Sequence, residues 1–114
     1  MNFAINRHVF ASVDRLSAGN GVTIYSEDLR QGVTADSISV LPEGRLDFLQ
    51  GFIRRLVPQD ESILLVTESD VPAGAGLGGS GALGVAVVAA LDHAFGRVRT
   101  PNETAQAAND IERK

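Results

Sequence analysis

The chain has 114 residues, which accommodates one small domain, and 44% of them are hydrophobic, which argues against wholesale disorder. Its net charge of −4 argues against nucleic acid as the main partner, because nucleic-acid-binding domains usually present a basic face. Cysteine is absent, so disulfides and thiolate metal sites are excluded, and the composition is compatible with a reducing cytoplasm. No signal peptide is predicted, since the first residues contain no long apolar run.

Alternating apolar and polar residues predict strands in the first half of the chain. Residues 2–14 alternate throughout and are predicted to form one half-buried strand. Turn residues follow, and residues 22–26 alternate again, which predicts a second strand as the hairpin partner of the first. A third, weaker strand is predicted for residues 37–41.

The second half of the chain alternates between helical and strand patterns. Helical spacing of apolar residues predicts a helix over residues 46–56, followed by a buried strand over residues 62–67. A further helix is predicted from about Gly79 to Phe95, and a last one from Pro101, with Thr100 as its N-cap. This order of elements predicts a mixed α/β domain of the α+β type.

The stretch Pro-Ala-Gly-Ala-Gly-Leu-Gly-Gly-Ser-Gly-Ala, residues 72–82, is the most informative part of the sequence. Glycine allows the backbone to approach a ligand closely, and the helix that follows begins with unpaired N–H groups and partial positive charge. Together these features predict a cradle for an anion, most often a phosphate. The alternative is a glycine-rich turn that only closes a strand–helix corner.

Two common nucleotide motifs fit this stretch poorly. Gly74, Gly76 and Gly79 match G-x-G-x-x-G, but the predicted strand ends well before Gly74, and the acidic residue expected downstream is Asp92, inside a helix. Gly74 and Gly79 also have P-loop spacing, but Ser80 follows where that motif requires lysine. Residues 71–91 carry no charge, yet proline and glycine crowd their first half, so a membrane span is disfavoured.

The stretch resembles the Pro-x-x-x-Gly-Leu-Gly-Ser-Ser-Ala signature of the GHMP kinases. The matching residues are Pro72, Gly76, Leu77, Gly78 and Ser80, while Gly79 and Gly81 replace a serine and an alanine. The resemblance covers nearly the whole chain, and residues 2–7 and 24–29 are most similar to the sugar-kinase branch that includes D-glycero-D-manno-heptose 7-phosphate kinase.

The resemblance implies a fold, a ligand and a set of binding residues. The implied fold is the two-layer arrangement similar to ribosomal protein S5 domain 2, a mixed sheet with helices on one face. The implied ligands are ATP and Mg²⁺, with the phosphates over residues 72–81, including Gly74, and the backbone N–H groups of Gly76 to Ser80 directed at them. Ser80 corresponds to a Mg²⁺ ligand, and Glu112 to its partner carboxylate, with Asp110 as a fallback; an exposed helix glutamate is the alternative for Glu112.

The resemblance also implies an incomplete kinase site within residues 1–114, a single partial domain corresponding to the ATP-binding region. The family's catalytic aspartate follows the second magnesium ligand, so no catalytic residue is assigned here, and we expect little or no kinase activity from this polypeptide alone. In the complete enzyme the acceptor would be a sugar or sugar phosphate. The rival function is a non-catalytic interaction module that keeps the fold.

Other polar residues carry less specific expectations. A missing upstream strand would leave an open sheet edge, which predicts a homodimer or strand exchange. His8 and His93 are expected in surface or boundary roles. Arg97 and Arg99 are expected to be solvated, with contact to an anion as the alternative.

Overall fold

The computed structural model describes residues 2–6, 9–44, 46–69 and 79–112. Its strands are β1 (Asn2–Asn6), β2 (Val9–Leu16), β3 (Val22–Ser26), β4 (Gln31–Ala35) and β5 (Ser62–Ser69). Its helices are α1 (Asp47–Leu56), α2 (Gly79–Ala94) and α3 (Pro101–Glu112), and a short 3₁₀ helix spans Ile38–Val40.

The five strands form one mixed sheet in the order β1-β2-β5-β3-β4. The central strand, β5, pairs antiparallel with β2 and parallel with β3. Val13, Leu65, Ile24 and Val33 lie side by side across four strands, and all are buried. Because side chains alternate along a strand, these residues mark one covered face of the sheet.

The three helices form the second layer. α2 packs on β1, β2 and β5, while α1 and α3 pack against α2 and against each other. α2 is enclosed, since Ala86, Val87, Val88, Ala90 and Leu91 are all buried, as expected of a helix that is apolar around most of its circumference. The predicted fold class, a two-layer α/β domain with a mixed sheet and helices on one face, is confirmed. None of the described helices has the length and apolar character needed to cross a membrane.

The predicted helices and the central strand are confirmed within one or two residues. α3 begins at Pro101 as expected, and its N-cap is Thr100, whose hydroxyl accepts a hydrogen bond from Glu103 N at 3.1 Å. Glu103 Oε1 in turn accepts one from Thr100 N at 2.8 Å, which completes a capping box. The Thr-x-x-Glu spacing in the sequence is the signal for this reciprocal pair.

The prediction of one strand over residues 2–14 is wrong, because β1 and β2 are separate antiparallel strands. Their register explains the error. Asn6 pairs with Val9, but an irregularity between Ala4 and Asn6 then pairs Phe3 with Ala11. Paired residues lie on the same face of the sheet, and this shift pairs odd-numbered residues of β1 with odd-numbered residues of β2. The odd-numbered residues of both strands therefore share one face, as they would in a single unbroken strand.

Two other strand predictions are also wrong. β3 does not pair with the first strand, because β5 lies between β2 and β3 and pairs with both. Residues 37–41 contain a 3₁₀ helix, in which Ile38 and Leu41 are buried at helical spacing while Val40 is 60% exposed. The strand that follows β3 is β4, which lies at one edge of the sheet. Its Gly32 faces Tyr25 on β3, and a Cβ at Gly32 would lie 3.1 Å from the tyrosine ring.

Candidate functional site

The candidate site lies at the edge of the sheet where the parallel strands β3 and β5 both end. Phe95, just after α2, lies under the guanidinium of Arg15, whose Cζ is 4.7 Å from the ring centroid. Arg15 pairs with Ile63 at the start of β5, so α2 ends near the amino-terminal end of β5. Since α2 is about 24 Å long and β5 about 26 Å, α2 begins at the carboxyl end of β5.

This geometry brings the first turn of α2 to the carboxyl edge of the sheet. Gly79, Ser80 and Gly81 form that turn. The first N–H groups of a helix have no partner within the helix and carry partial positive charge, so they can receive an anion. The remaining residues of the predicted phosphate loop, Pro72, Gly74, Gly76, Leu77 and Gly78, lie outside the described residues.

Two buried hydroxyl residues at the same edge were not predicted as site residues. Ser26 and Thr67 pair in register at the carboxyl ends of β3 and β5, and they are 3% and 1% exposed. Both occupy the alternate positions whose side chains are buried along their strands, so they lie on the face of the sheet that α2 covers. A polar residue at a core position at the carboxyl end of a strand is the sequence signal that would have identified them.

The turn that leaves β3 is held by this pair and its neighbours. Glu27 N donates to the carbonyl oxygen of Thr67 at 2.8 Å, which extends the parallel pairing by one residue. Ser26 Oγ donates to Asp28 Oδ1 at 3.1 Å and accepts from Leu29 N at 3.4 Å. The polar pair Glu27–Asp28 therefore belongs to a turn.

The candidate metal ligands lie at one end of a pair of packed helices. α3 packs on α2 after a short connection, so the two are antiparallel neighbours, and the end of α3 lies beside the start of α2. Ser80 is in the first turn of α2, and Glu112 is the last residue of α3. The fallback ligand, Asp110, is exposed and accepts a hydrogen bond from Gln106 Nε2 at 2.9 Å.

The opposite end of the helical layer carries a different polar group. Arg97 and Arg99, predicted to be solvated, both contact the buried carboxylate of Asp92. A cleft of about 230 Å³ adjoins these residues, between the end of α2 and the start of α3. It is remote from the phosphate-loop end of α2, so it is not the predicted ATP site.

No group of three or more histidine or acidic side chains that could hold a metal occurs among the described residues. His93 is exposed in the last turn of α2, as expected of a surface histidine, whereas His8 lies outside the described residues. A magnesium site made by one hydroxyl and one carboxylate would not require such a group, because Mg²⁺ keeps several waters.

Comparison with known proteins gives consistent matches. The model of the GHMP kinases N terminal domain matches residues 47–114. Over 109 residues the chain is 37% identical to the mevalonate kinase of Methanothermobacter thermautotrophicus. The matched region covers 96% of this chain and 34% of that protein. The chain therefore spans about a third of the length of this relative.

Solved structures agree with the sequence matches. The chain is similar to a D-glycero-D-manno-heptose 1-phosphate kinase from Bacteroides thetaiotaomicron, with a TM-score of 0.78 and 26% identity over 93% of this chain and 36% of that one. The mevalonate kinase of Methanococcus jannaschii matches with a TM-score of 0.72 over 92% of this chain and 36% of that one. At 12% identity, the second likeness concerns the fold alone.

Proposed function

Because the chain belongs to the GHMP kinase family, we propose that it forms the ATP–Mg²⁺-binding portion of a small-molecule kinase. In this proposal residues 1–114 are one partial domain, and the complete enzyme transfers the γ-phosphate of ATP to a hydroxyl. The observation that carries the proposal is the position of the first turn of α2, at the carboxyl edge of a parallel strand pair and directly after the glycine-rich stretch. We propose a cytoplasmic location as well, because ATP is abundant there.

The phosphates would lie against backbone N–H groups from Gly76 to Ser80. Phosphoryl transfer depends mainly on positioning and charge neutralisation, so a loop of amides beside a helix start supplies what the β- and γ-phosphates need. Gly79 stands where the family signature has a serine, which removes one hydroxyl donor and leaves the backbone donors in place. Ser26 and Thr67 would form a polar wall near this loop.

The magnesium ion would be held by the Ser80 hydroxyl and the Glu112 carboxylate, with waters completing its shell. Mg²⁺ prefers hard oxygen ligands and loses its waters reluctantly, so two protein ligands and the phosphate oxygens are sufficient. When bound, the ion neutralises charge that develops on the phosphates. The antiparallel packing of α2 and α3 supports this pairing, since it brings both residues to one end of the helical layer.

Titration with ATP tests the proposal, once with Mg²⁺ and once with a chelator, followed by backbone amide NMR. We expect shifts concentrated at Gly76 to Ser80 and tighter binding with Mg²⁺. Ser80→Ala should reduce the Mg²⁺-dependent increase in ATP affinity by about tenfold or more, since a contact to a charged group contributes about 1.5–3 kcal/mol. The matched control is Ser17→Ala, an exposed serine at the opposite end of the sheet. Absence of any nucleotide-induced shift would favour the non-catalytic interaction module.

Gly79→Ser offers a gain-of-function test of the same loop. The first turn of a helix accepts serine readily, and the substitution restores the hydroxyl that the signature contains. We expect ATP to bind several-fold more tightly to Gly79→Ser than to the unaltered chain, because one further donor reaches a charged phosphate. Unchanged or weaker binding would argue that the phosphates do not lie at this turn.

The acceptor of the complete enzyme is proposed to be a sugar or sugar phosphate. The likeness to the heptose 1-phosphate kinase supports this choice. A mevalonate-type acceptor is the second candidate, favoured by the 37% identity to a mevalonate kinase. A coupled ADP-release assay of the complete enzyme with heptose phosphate, galactose and mevalonate distinguishes the two acceptor classes. Robust turnover by residues 1–114 alone would contradict the proposal of a partial domain.

The edges of the sheet support a further proposal of self-association. Among the described strands, β1 and β4 form the two edges. An open edge presents unpaired N–H and C=O groups to a second chain, so we expect a homodimer or strand exchange. Size-exclusion chromatography with light scattering tests this, and a purely monomeric chain would refute it.

A further inference from the structure

One buried charge in the helical layer has no part in the proposed phosphate chemistry. Asp92, in the last turn of α2, is 5% exposed. Arg99 Nη1 donates to both of its carboxylate oxygens, at 2.6 and 2.5 Å. Arg97 Nε lies 3.2 Å from Oδ1, close enough for an ion pair but without hydrogen-bond alignment. We call Asp92, Arg97 and Arg99 the Asp92 cluster.

The Asp92 cluster connects all three helices. Arg97 Nη2 donates to the carbonyl oxygen of Leu56, the last residue of α1, at 2.6 Å. The same guanidinium lies 5.5 Å from the ring centroid of Phe95, within the range of a cation–π contact. Arg99 directly precedes Thr100, the N-cap of α3. The cluster therefore holds the start of α3 against the ends of α1 and α2.

The first half of α3 has little else to hold it in place. Its fully buried residues are Ala108 and Ile111, and both lie in the second half of the helix. In the first half, Pro101, Asn102 and Glu103 are exposed. Apolar packing thus holds the end of α3, while the polar cluster lies at its start.

Buried ion pairs add little to the free energy of unfolding, because desolvation of the charges offsets their attraction. In some proteins they instead select one conformation over its alternatives. The Asp92 cluster has the geometry for that role, because two arginines of the connection between α2 and α3 reach a single carboxylate in the last turn of α2. A tilt of α3 by about 15° around Ile111 would move Asn102 by about 3–4 Å. The same tilt would turn Glu112, the last residue of α3, through the same angle. At the reach of a glutamate side chain, about 4–5 Å, that angle displaces a carboxylate by about 1 Å, whereas metal sites tolerate errors of only about 0.5 Å.

We propose that the Asp92 cluster is a positioning element that sets the tilt of α3 on α2 and thereby the position of Glu112 relative to the Mg²⁺ bound with ATP. This inference rests on the proposed function for its consequence at the metal, but the tilt itself can be measured without any ligand. Asp92, Arg97 and Arg99 touch neither the nucleotide nor the ion. They act through the helix that carries Glu112.

The tilt is tested by a distance between two nitroxide labels. The chain has no cysteine, so Gln31→Cys and Asn102→Cys give two unique labelling positions, both exposed, on β4 and on the first turn of α3. In the otherwise unaltered chain we expect one narrow distance distribution by pulsed electron paramagnetic resonance. In Asp92→Asn and in Arg99→Ala this distribution should shift or broaden by about 3–4 Å. Arg99→Lys, which keeps the charge and can place its one nitrogen against the carboxylate, should give a smaller change.

Glu61→Gln is the matched control. It breaks the Arg15–Glu61 ion pair, whose atoms are 2.9 Å apart at the same end of the molecule, without contacting α3. The label distance should not change in this variant. Circular dichroism verifies folding, and Arg99→Ala serves if Asp92→Asn does not fold. A distance that is unchanged in the folded cluster variants would overturn the proposal.

The consequence at the metal is tested by ATP affinity with and without Mn²⁺, which replaces Mg²⁺ as a probe. We expect Asp92→Asn to reduce the gain in ATP affinity from Mn²⁺ by about tenfold, with metal-free affinity unchanged. A structural role alone would leave that gain intact well below the melting temperature, so an altered distance with an unaltered gain would refute the positioning role. If Mn²⁺ does not raise the ATP affinity of the unaltered chain, the metal site of the proposed function is refuted, whatever the label distances show. The positioning role of the Asp92 cluster is then refuted as well.

Discussion

Replacing Gly21 with alanine is a sharp test of the way β3 enters the sheet. Gly21 has a φ of +78°, in the left-handed region that disfavours side chains. A Cβ at this position would overlap the carbonyl oxygen of Ala35 on β4. The backbone cannot easily move away, because Gly21 N donates to Ser62 Oγ at 3.1 Å and Gly21 O accepts from Ile63 N at 3.2 Å.

The expected loss combines two costs. The left-handed conformation costs a residue with a Cβ about 1–2 kcal/mol. Relief of the overlap with Ala35 adds about 1–3 kcal/mol, as for other forced shifts in packed regions. Gly21→Ala should therefore lower the free energy of unfolding by about 2–5 kcal/mol. An entropy of unfolding of about 0.24 kcal/mol per kelvin for this length converts that loss to about 8–20 °C in melting temperature.

Gly19→Ala is the matched control. Gly19 also has a positive φ, of +90°, but a Cβ there would meet nothing within 4 Å. Its loss should be limited to the conformational cost of about 1–2 kcal/mol, or about 4–8 °C. Urea and thermal unfolding followed by circular dichroism measure both variants. If the two melt within a degree or two of each other, the contact with Ala35 does not limit this position, and the reasoning is refuted.

Three further substitutions test other parts of the fold by the same unfolding assay. Gly51→Ala should stabilise the chain by about 0.5–1 kcal/mol, since alanine is the better helix former and the new methyl group meets α3 at an ordinary contact distance of 3.8 Å; a loss would show that α1 and α3 are packed more tightly. Thr100→Ala should cost about 1 kcal/mol through loss of the capping box with Glu103, and an unchanged melting temperature would contradict that role. Glu61→Gln should cost under about 1 kcal/mol, and the cost should fall in high salt, because the partner of Glu61 is half exposed; a larger, salt-independent loss would contradict a surface ion pair.

The helices of this protein could be predicted because their signals are local. The apolar spacing that ends at Leu56, and the Thr-Pro-Asn-Glu stretch from Thr100, each define an element within a few residues. β5 was equally clear, since a short apolar run without helical spacing indicates a buried strand. The glycine-rich stretch predicts an anion site before a helix, because positive φ and close backbone approach are properties of the residue itself, and that site stays a prediction.

The partners of the strands depended on tertiary structure. Alternation along a strand says which residues share a face, but it does not say which strand lies beside it. β5 takes the place between β2 and β3, although about 35 residues separate it from β3, because its alternate residues Ile63 and Leu65 complete the buried face. The irregularity between Ala4 and Asn6 concealed the first reversal for a similar reason, since it preserved the alternation.

The candidate site divides along the same line. The sequence alone indicated the glycine-rich stretch, Ser80 and Glu112, because a local motif and a resemblance identify residue types in order. Only the tertiary structure brings Ser26 and Thr67 together at the sheet edge and directs Arg97 and Arg99 onto Asp92. Local chemistry depends on neighbouring residues, whereas the pairing of Ser26 with Thr67 and the burial of the Asp92 carboxylate arise only after the layers have packed.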